Sequence, residues 1–382
     1  MTRSHSAPCA RLLGNQLALQ SSFSSLDYDV SKSIHKLTPV HQFYEHALTV
    51  FLTDYVLPLI IFPTLSALAF HFTLGHLLAS GLGSTLKAQC PPSLANASPE
   101  HTPYRLAYTG VPVLDKRLCG LVSVFHLALT PEALPFLNYF LGTSVPLLAL
   151  SALESVRKGS HASLALPVVF GLLSQVMTVG VVLPIYWLIF ILTGAARRRV
   201  GGDRTRVPKA RAEAAVVGLI VGAAIPSVWL VVAKDPYVTA IWQFFPLWQF
   251  LSQSANQLVR GRTTHSASGY SWIRALYAGA FLAAAGIHIS SAWNTPDLAS
   301  AKALFLPSLT PLTSAAPNLQ VRNFLQWDAV FGFGSTLVAS LWFARNSRQL
   351  AYIVLWNVLG SVVVGPGAAI AAVALWRESC LH

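Results

Sequence analysis

The chain has 382 residues, of which 54% are hydrophobic and only 10% are charged, and its mean hydropathy is +0.54. Uncharged apolar runs that approach or exceed ~20 residues recur along it, and runs of that length cross a hydrocarbon core as helices. The composition excludes a water-soluble globular protein and predicts an all-α integral membrane helical bundle.

The net charge of +12 would suggest nucleic-acid binding in a soluble protein, but the basic residues lie in loops between apolar runs. This distribution is the positive-inside signature of a cytoplasmic loop, and no nucleic-acid reader module is recognisable. We therefore predict a lipid bilayer and no nucleic acid as partner. The densest basic run comprises Arg197, Arg198, Arg199, Arg204, Arg206, Lys209 and Arg211.

Residues 1–46 are polar and contain no apolar segment, so they predict a poorly ordered N-terminal segment without a cleavable signal peptide. The first transmembrane helix is predicted over residues 47–72, interrupted only by Asp54. The apolar run 118–129 is too short to span and is predicted to be interfacial or re-entrant.

The remaining transmembrane helices are predicted from the later apolar runs. They cover residues 133–153, a stretch within 159–196, and then 214–233, 237–255, 275–293, 323–343 and 350–376. The sequence thus predicts about eight spans, a transmembrane domain over 47–376 and a short tail over 377–382.

The four cysteines are Cys9, Cys90, Cys119 and Cys380. They are widely scattered and show no CxxC or other metal-ligand spacing. This pattern predicts free thiols, with neither a disulfide framework nor a zinc site.

Carboxylates in or near membrane helices are costly and often functional. With eight spans, Asp54, Glu154, Asp235 and Asp328 all lie toward the same membrane face, which predicts a polar cavity open to that side. The alternative is that each is a hydrated helix-end charge, and Asp235, before Pro236, fits a helix-capping role.

Glu154 and Arg157 are three residues apart and share a helix face. They form either an ordinary interfacial ion pair or a carboxyl group that protonates a substrate, with the arginine holding it in place. Trp242 and Trp248 form either a packing belt or a π-lined wall that stabilises a carbocation. The sequence has no DDxxD, NDxxD or DxDD motif, so a cyclase that ionises a diphosphate through magnesium is disfavoured.

Several segments in this order resemble a family of fungal multispanning proteins that includes the membrane-bound terpene cyclases of ascochlorin, ascofuranone and macrophorin-type meroterpenoid pathways. The segments are Val113-Leu114-Asp115, Leu153-Glu154-Ser155-Val156-Arg157, Phe170-Gly171-Leu172-Leu173-Ser174-Gln175, Gly180-Val181-Val182-Leu183-Pro184-Ile185-Tyr186, Ala224-Ile225-Pro226 and Ile241-Trp242-Gln243-Phe244-Phe245-Pro246.

The resemblance implies a metal-independent enzyme without cofactor that protonates and cyclises a farnesylated, in some cases epoxidised, intermediate of secondary metabolism in the endoplasmic reticulum membrane. The predicted partner is a lipophilic prenylated small molecule. Glu154 is the preferred general acid, followed by Asp115 and Asp328, with Arg157 orienting the acid. The predicted substrate-binding residues are Trp242, Trp248, Tyr186, Gln243, Gln175 and His288.

Two other classes of membrane protein remain as alternatives. A transporter would account for helix-end acids and proline-broken spans, but no internal repeat relates the two halves. A receptor would account for a span count near seven, but paired extracellular cysteines and a long N-terminal ligand domain are missing.

Overall fold

The computed structural model describes residues 48–93, 100–164, 166–198, 205–260 and 267–382, and these residues form helices and no β-strand. The predicted N-terminal segment 1–46 lies outside the described residues. We number the helices in chain order: α1 Leu48–Ala79, α2 Leu82–Gln89, α3 Pro112–Ala128, α4 Leu134–Val156, α5 Pro167–Met177, α6 Val179–Leu192, α7 Lys209–Ala233, α8 Pro236–Trp242, α9 Phe245–Arg260, α10 Tyr270–Trp293, α11 Leu298–Phe305, α12 Pro317–Ser340, α13 Ser347–Val363 and α14 Pro366–Leu381.

Four of these helices are long and apolar enough to cross a membrane, namely α1, α4, α7 and α10. Eight were predicted from hydropathy. The other predicted spans correspond to helices that are shorter, such as α5 and α6, or that carry buried polar residues, such as α12 with Gln326 and Asp328. Length and apolarity alone therefore support four spans within the described ranges.

The third predicted helix is instead a pair of short helices, α5 and α6, separated by Thr178. The backbone of Thr178 has φ 78° and ψ 153°, outside the helical region, so the chain reverses there. The hairpin starts after α4 and ends before Arg198, which forms an ion pair with Glu154 at the end of α4. The chain therefore enters and leaves the hairpin at the same end of the bundle.

The eighth predicted helix is also broken. Gly365, with φ 89°, and Pro366 separate α13 from α14. The two helices pack antiparallel, since Arg377 near the end of α14 lies over the ring of Phe343, shortly before α13 begins, at 4.7 Å.

The two ends of the bundle differ in their polar contacts. The arginine end contains Arg157, Arg198 and Arg377, each of which forms an ion pair with Glu154. At the other end, Ser80 after α1 accepts a hydrogen bond from Gln320 near the start of α12, and α2 and α3 follow in the chain.

The predicted clustering of four carboxylates on one face is wrong. Asp54 and Glu154 lie at the arginine end, where they pair with Arg197 and Arg198. Asp328 accepts a hydrogen bond from Gly180 at the opposite end of α6, roughly 20 Å along the helix at 1.5 Å per residue. Because α5 and α6 form a hairpin rather than one span, the alternation of faces assumed from the sequence does not hold.

Asp235 has the capping role that the sequence offered as its alternative. Its carboxylate accepts hydrogen bonds from the backbone N–H groups of Tyr237 and Val238 at the start of α8. These donors have no partner within the helix, so the side chain satisfies them.

The prediction of free thiols is wrong as well. Cys90 and Cys119 form a disulfide that joins the end of α2 to α3, with their Cα atoms 5.9 Å apart. The two residues are 29 positions apart in the chain, and only the packing of α2 against α3 brings them together.

We expect Gly365→Ala to destabilise the protein. The left-handed backbone at this position strains any residue with a Cβ, and the added atom would lie 2.6 Å from the His288 ring. The expected loss is at least ~1 kcal/mol, measured as a lower midpoint of thermal unfolding in detergent.

Gly279→Ala is the matched control, because a Cβ at this position on α10 meets nothing within 4 Å. Alanine at a helix interior is favoured over glycine by about 0.5–1 kcal/mol, so this variant should be at least as stable as the parent. If the two variants had equal midpoints of thermal unfolding, a Cβ at Gly365 would cause no strain, and the tight turn described here would be wrong.

Candidate active site

A cavity of about 1480 Å³ lies within the helices of the bundle and is lined by residues of α1 to α9 and α12. It exceeds the ~300–1,000 Å³ that is usual for small-molecule sites, so it can hold a long ligand. Its wall is predominantly apolar and rich in aromatic rings. The aromatic residues of the wall are Phe125, Phe140, Phe170, Tyr186, Trp242, Phe244, Phe245, Phe250 and Phe324.

Asp328 of α12 is the sole carboxylic acid, among the residues that the structure describes, on the wall of this cavity. It is 5% exposed, and its Oδ1 accepts a hydrogen bond from the backbone N–H of Gly180. No lysine or arginine of the described ranges forms an ion pair with it. A buried carboxyl group therefore faces the cavity without a counter-charge.

The break at Thr178 explains why a backbone donor reaches Asp328. The first N–H groups of α6 have no partner within the helix, and Gly180 is one of them. A Cβ at Gly180 would lie 3.0 Å from the backbone oxygen of Asp328 and 3.1 Å from its Oδ1, so the absence of a side chain allows α6 and α12 to approach closely. Thr178 also lies on the cavity wall.

Glu154, by contrast, lies in a buried cluster of charges and is not on the cavity wall. Its carboxylate pairs with Arg157 at 3.0 Å, Arg377 at 2.8 Å and Arg198 at 3.2 Å. Glu378 of α14 pairs with Arg157 and, at 3.5 Å, with Arg377. The cluster ties α4, α14 and the start of the basic loop together, and Glu154 within it is a carboxylate surrounded by cations.

Asp115 lies in the first turn of α3. The backbone N–H and the hydroxyl of Thr109 both donate to its Oδ1 at 2.7 Å. Burial acts to raise the pKa of Asp115, but the hydrogen bonds from Thr109 outweigh it and lower the pKa below the usual value. Asp115 is therefore ionised near neutral pH and organises the loop before α3, while its neighbours Leu114 and Lys116 line the cavity.

Four of the six predicted substrate-binding residues lie on the cavity wall: Trp242, Tyr186, Gln243 and Gln175. The other two do not. The indole N–H of Trp248 donates to the backbone oxygen of Ile241 at 2.9 Å, and His288 forms a hydrogen bond with the Tyr139 hydroxyl at 3.0 Å. Both face protein partners rather than the cavity.

The wall also contains residues that the sequence prediction did not select. Phe125 packs edge-on against Trp242 with their ring centroids 4.6 Å apart, and Gln249 and Gln253 lie one turn apart on α9. The spacing of the two glutamines on an amphipathic helix could have indicated from the sequence that they share one face. The position of Phe125 on the wall depends on tertiary packing and could not.

The described residues contain no group of three or more histidine, cysteine, aspartate or glutamate side chains placed to hold a metal ion. The prediction of a metal-independent reaction rests on the sequence motifs alone and stays a prediction.

Comparison with known proteins identifies relatives along most of the chain. Residues 56–382 match the CtvD domain family. Terpene cyclase ascI of Acremonium egyptiacum is 26% identical over 319 residues, which cover 73% of this chain and 81% of that protein. Terpene cyclase ctvD of Aspergillus terreus is 26% identical over 297 residues, which cover 70% of this chain and 80% of that protein.

A third relative is much longer than the match. The FAD-dependent monooxygenase verC1 of Penicillium polonicum is 26% identical over 249 residues, which are 60% of this chain but only 30% of that protein. No solved structure matches the chain. The family predicted from the sequence segments is confirmed.

We expect Glu154→Gln to lower the stability of the protein. Removing this carboxylate leaves the three guanidinium groups of the cluster with Glu378 as their remaining counter-charge, and breaking a buried ion pair from one side costs about 3–5 kcal/mol. The measurement is the thermal unfolding midpoint in detergent together with the amount of protein in membranes. Glu100→Gln, at an exposed position, is the control and should change neither. A Glu154→Gln variant as stable as the parent would contradict a structural role for the cluster.

Proposed function

The chain belongs to the CtvD domain family, and from this premise we propose that it is a terpene cyclase that protonates and cyclises a farnesylated meroterpenoid intermediate without a metal. The observation that carries the proposal is the position of Asp328, a carboxyl group without a counter-charge on the wall of a large aromatic cavity. Protonation of an alkene or an epoxide needs such an acid in a site that excludes water.

In the proposed reaction, Asp328 gives its proton to a terminal epoxide oxygen or to an alkene carbon of the prenyl chain. The epoxide C–O bond or the alkene π bond supplies the electrons, and a carbocation forms at the substituted carbon. Neighbouring double bonds attack this cation and close the rings. The last cation loses a proton, or is captured by a hydroxyl group of the substrate that then releases its own proton. Either way one proton is returned for the one that Asp328 gave, and the product has the mass of the substrate.

The residues around Asp328 support this step. The N–H of Gly180 stabilises the carboxylate that remains after proton transfer, because a hydrogen bond to a charged acceptor is stronger than one to a neutral acceptor. Asp328 was one of three acids predicted from the sequence. We prefer it to Glu154 and Asp115, because Glu154 is paired with arginines and Asp115 is held ionised by Thr109.

The aromatic wall supplies the second requirement of the reaction. The faces of Trp242 and its neighbours Phe125 and Phe245 carry negative potential and stabilise a cation that lacks a counter-ion. Trp242 is held in place by its indole N–H, which donates to the Ser227 hydroxyl at 3.0 Å. These residues bind and shape the chain in the proposed site, while Arg157 acts through the charge cluster and not on the substrate.

The proposal includes a multi-pass position in the endoplasmic reticulum membrane with about eight crossings. Four long apolar helices support the membrane location. The arginine end faces the cytosol, since basic loops are retained on that side. The disulfide Cys90–Cys119 supports a lumenal position for α2 and α3, because disulfides persist in oxidising compartments. The transporter and receptor alternatives gain no support from the relatives.

We expect Asp328→Asn to abolish turnover while the protein still accumulates. The amide keeps the shape and accepts the bond from Gly180, but it has no acidic proton, so the loss should be at least the ~10²-fold typical of removing a general acid. The assay uses membranes, a farnesylated phenol and its terminal epoxide, EDTA in the buffer, and detection of an isomeric product of unchanged mass.

Glu154→Gln serves as the comparison in this assay, normalised to folded protein. The proposal requires its turnover per folded molecule to stay within about tenfold of the parent. If Asp328→Asn kept normal turnover and Glu154→Gln lost it, Glu154 and not Asp328 would be the general acid. Activity that disappears in EDTA and returns with magnesium would exclude the proposed reaction class.

Topology gives a separate test of the membrane arrangement. A protease site inserted between Gly201 and Gly202, in the basic loop, should be cleaved by protease added to intact microsomes. A site inserted at Leu309, which is 74% exposed and lies between α11 and α12, should be cleaved only after detergent is added. If both sites were cleaved in intact microsomes, the two loops would lie on the same side of the membrane. The chain would then cross the membrane an even number of times between them, against the proposed arrangement.

A further inference from the structure

Three buried glutamines lie on the same part of the cavity wall, and we call them the glutamine row. They are Gln243, in the turn between α8 and α9, and Gln249 and Gln253 on α9. Their exposed fractions are 3%, 8% and 8%. The cavity is otherwise mostly apolar, so three amides together need an explanation.

The amide of Gln243 is the clearest case. Both its nitrogen and its oxygen are buried, and neither has a hydrogen-bond partner in the described part of the chain. A buried amide without partners costs free energy in the folded state, and native proteins leave few such groups unsatisfied. The side chain lines the cavity, so the unpaired amide can gain hydrogen bonds from a ligand once it turns toward the cavity.

The backbone around the row is held firmly. A Cβ at Gly222 of α7 would lie 2.2 Å from the Cα of Gln249, and one at Gly218 would lie 3.0 Å from the Cβ of Gln253. On the other side, Gly171 of α5 packs against the ring of Pro246. Close packing of α9 between α5 and α7 fixes the positions from which the glutamine side chains extend.

The row and the acid lie on different parts of the wall. α9 packs against α5 and α7, whereas α12, which carries Asp328, packs against α1 and α6. The separation matters chemically, because the lone pairs of an amide oxygen beside a carbocation would stabilise or capture it too early. Amides suit the part of the cavity that holds the unreactive end of the substrate.

We propose that the glutamine row binds the oxygenated head group of the substrate, so that the prenyl chain extends toward Asp328. An amide donates and accepts hydrogen bonds without carrying charge, so the row fits a neutral ring bearing both hydroxyl and carbonyl oxygens rather than an anion. This inference rests on the proposed function and adds to it the polarity of the head group and the residues that recognise it.

The test measures binding of two labelled probes that share a farnesyl chain: a farnesylated dihydroxybenzaldehyde and farnesylbenzene. The full-length Asp328→Asn protein in nanodiscs is used, because it separates binding from turnover. Gln243→Leu and Gln249→Leu should each weaken binding of the oxygenated probe by ~10-fold, as expected for a lost hydrogen bond to a buried group, and leave the hydrocarbon probe unchanged.

Stability distinguishes a binding role from a structural one. Gln243→Leu should keep or raise the unfolding midpoint, because it removes an unpaired amide. Gln326→Leu is the control, since the amide of Gln326 donates to the backbone oxygens of Ala303 and Leu304. It should lower the midpoint and leave the ratio of the two probe affinities unchanged.

Equal weakening of both probes by Gln243→Leu, or no preference of the parent for the oxygenated probe, would overturn the inference. The binding result is independent of catalysis. If the parent forms no product but the row still selects the oxygenated probe, the proposed reaction fails while the head-group site stands.

Discussion

The break in the chain at Thr178 is the constraint on which the site depends. A non-helical residue between α5 and α6 leaves backbone N–H groups at the start of α6 without partners within the helix. Asp328 accepts one of them through Gly180, and the close packing of α12 on α6 follows from that contact. The same break turns α5 and α6 into a hairpin and gives the cavity one of its walls.

Two buried acids in this protein have opposite surroundings, and the difference decides their chemistry. Glu154 lies among Arg157, Arg198 and Arg377, and its ion pair with Arg377 links α4 to α14. Asp328 has a backbone donor and no cation among its described neighbours. An acid that gives away a proton must be stable in both forms, and neutral hydrogen-bond donors permit this where three guanidinium groups do not.

The cavity combines features that a cationic cyclisation needs in separate places. Aromatic rings around Trp242 offer π-faces to a moving positive charge, and the acid is at α12. The amides of the glutamine row are on α9 and in the turn before it, away from the acid. In the proposed function, this division lets one substrate be held by its polar end while its apolar chain folds against the aromatic wall.

The sequence alone determined the helical class, the basic end, the family and four of the six cavity-wall residues that it proposed, because hydropathy and short motifs are local properties. Which of three acids meets the cavity, the pairing of Cys90 with Cys119, and the breaks at Thr178 and Gly365 were decided by tertiary structure. Hydropathy cannot distinguish one long helix from two short ones joined by a turn when both are apolar. The donor to Asp328 is Gly180, 148 positions away in the chain, so whether this aspartate is paired or free depends on how the helices pack.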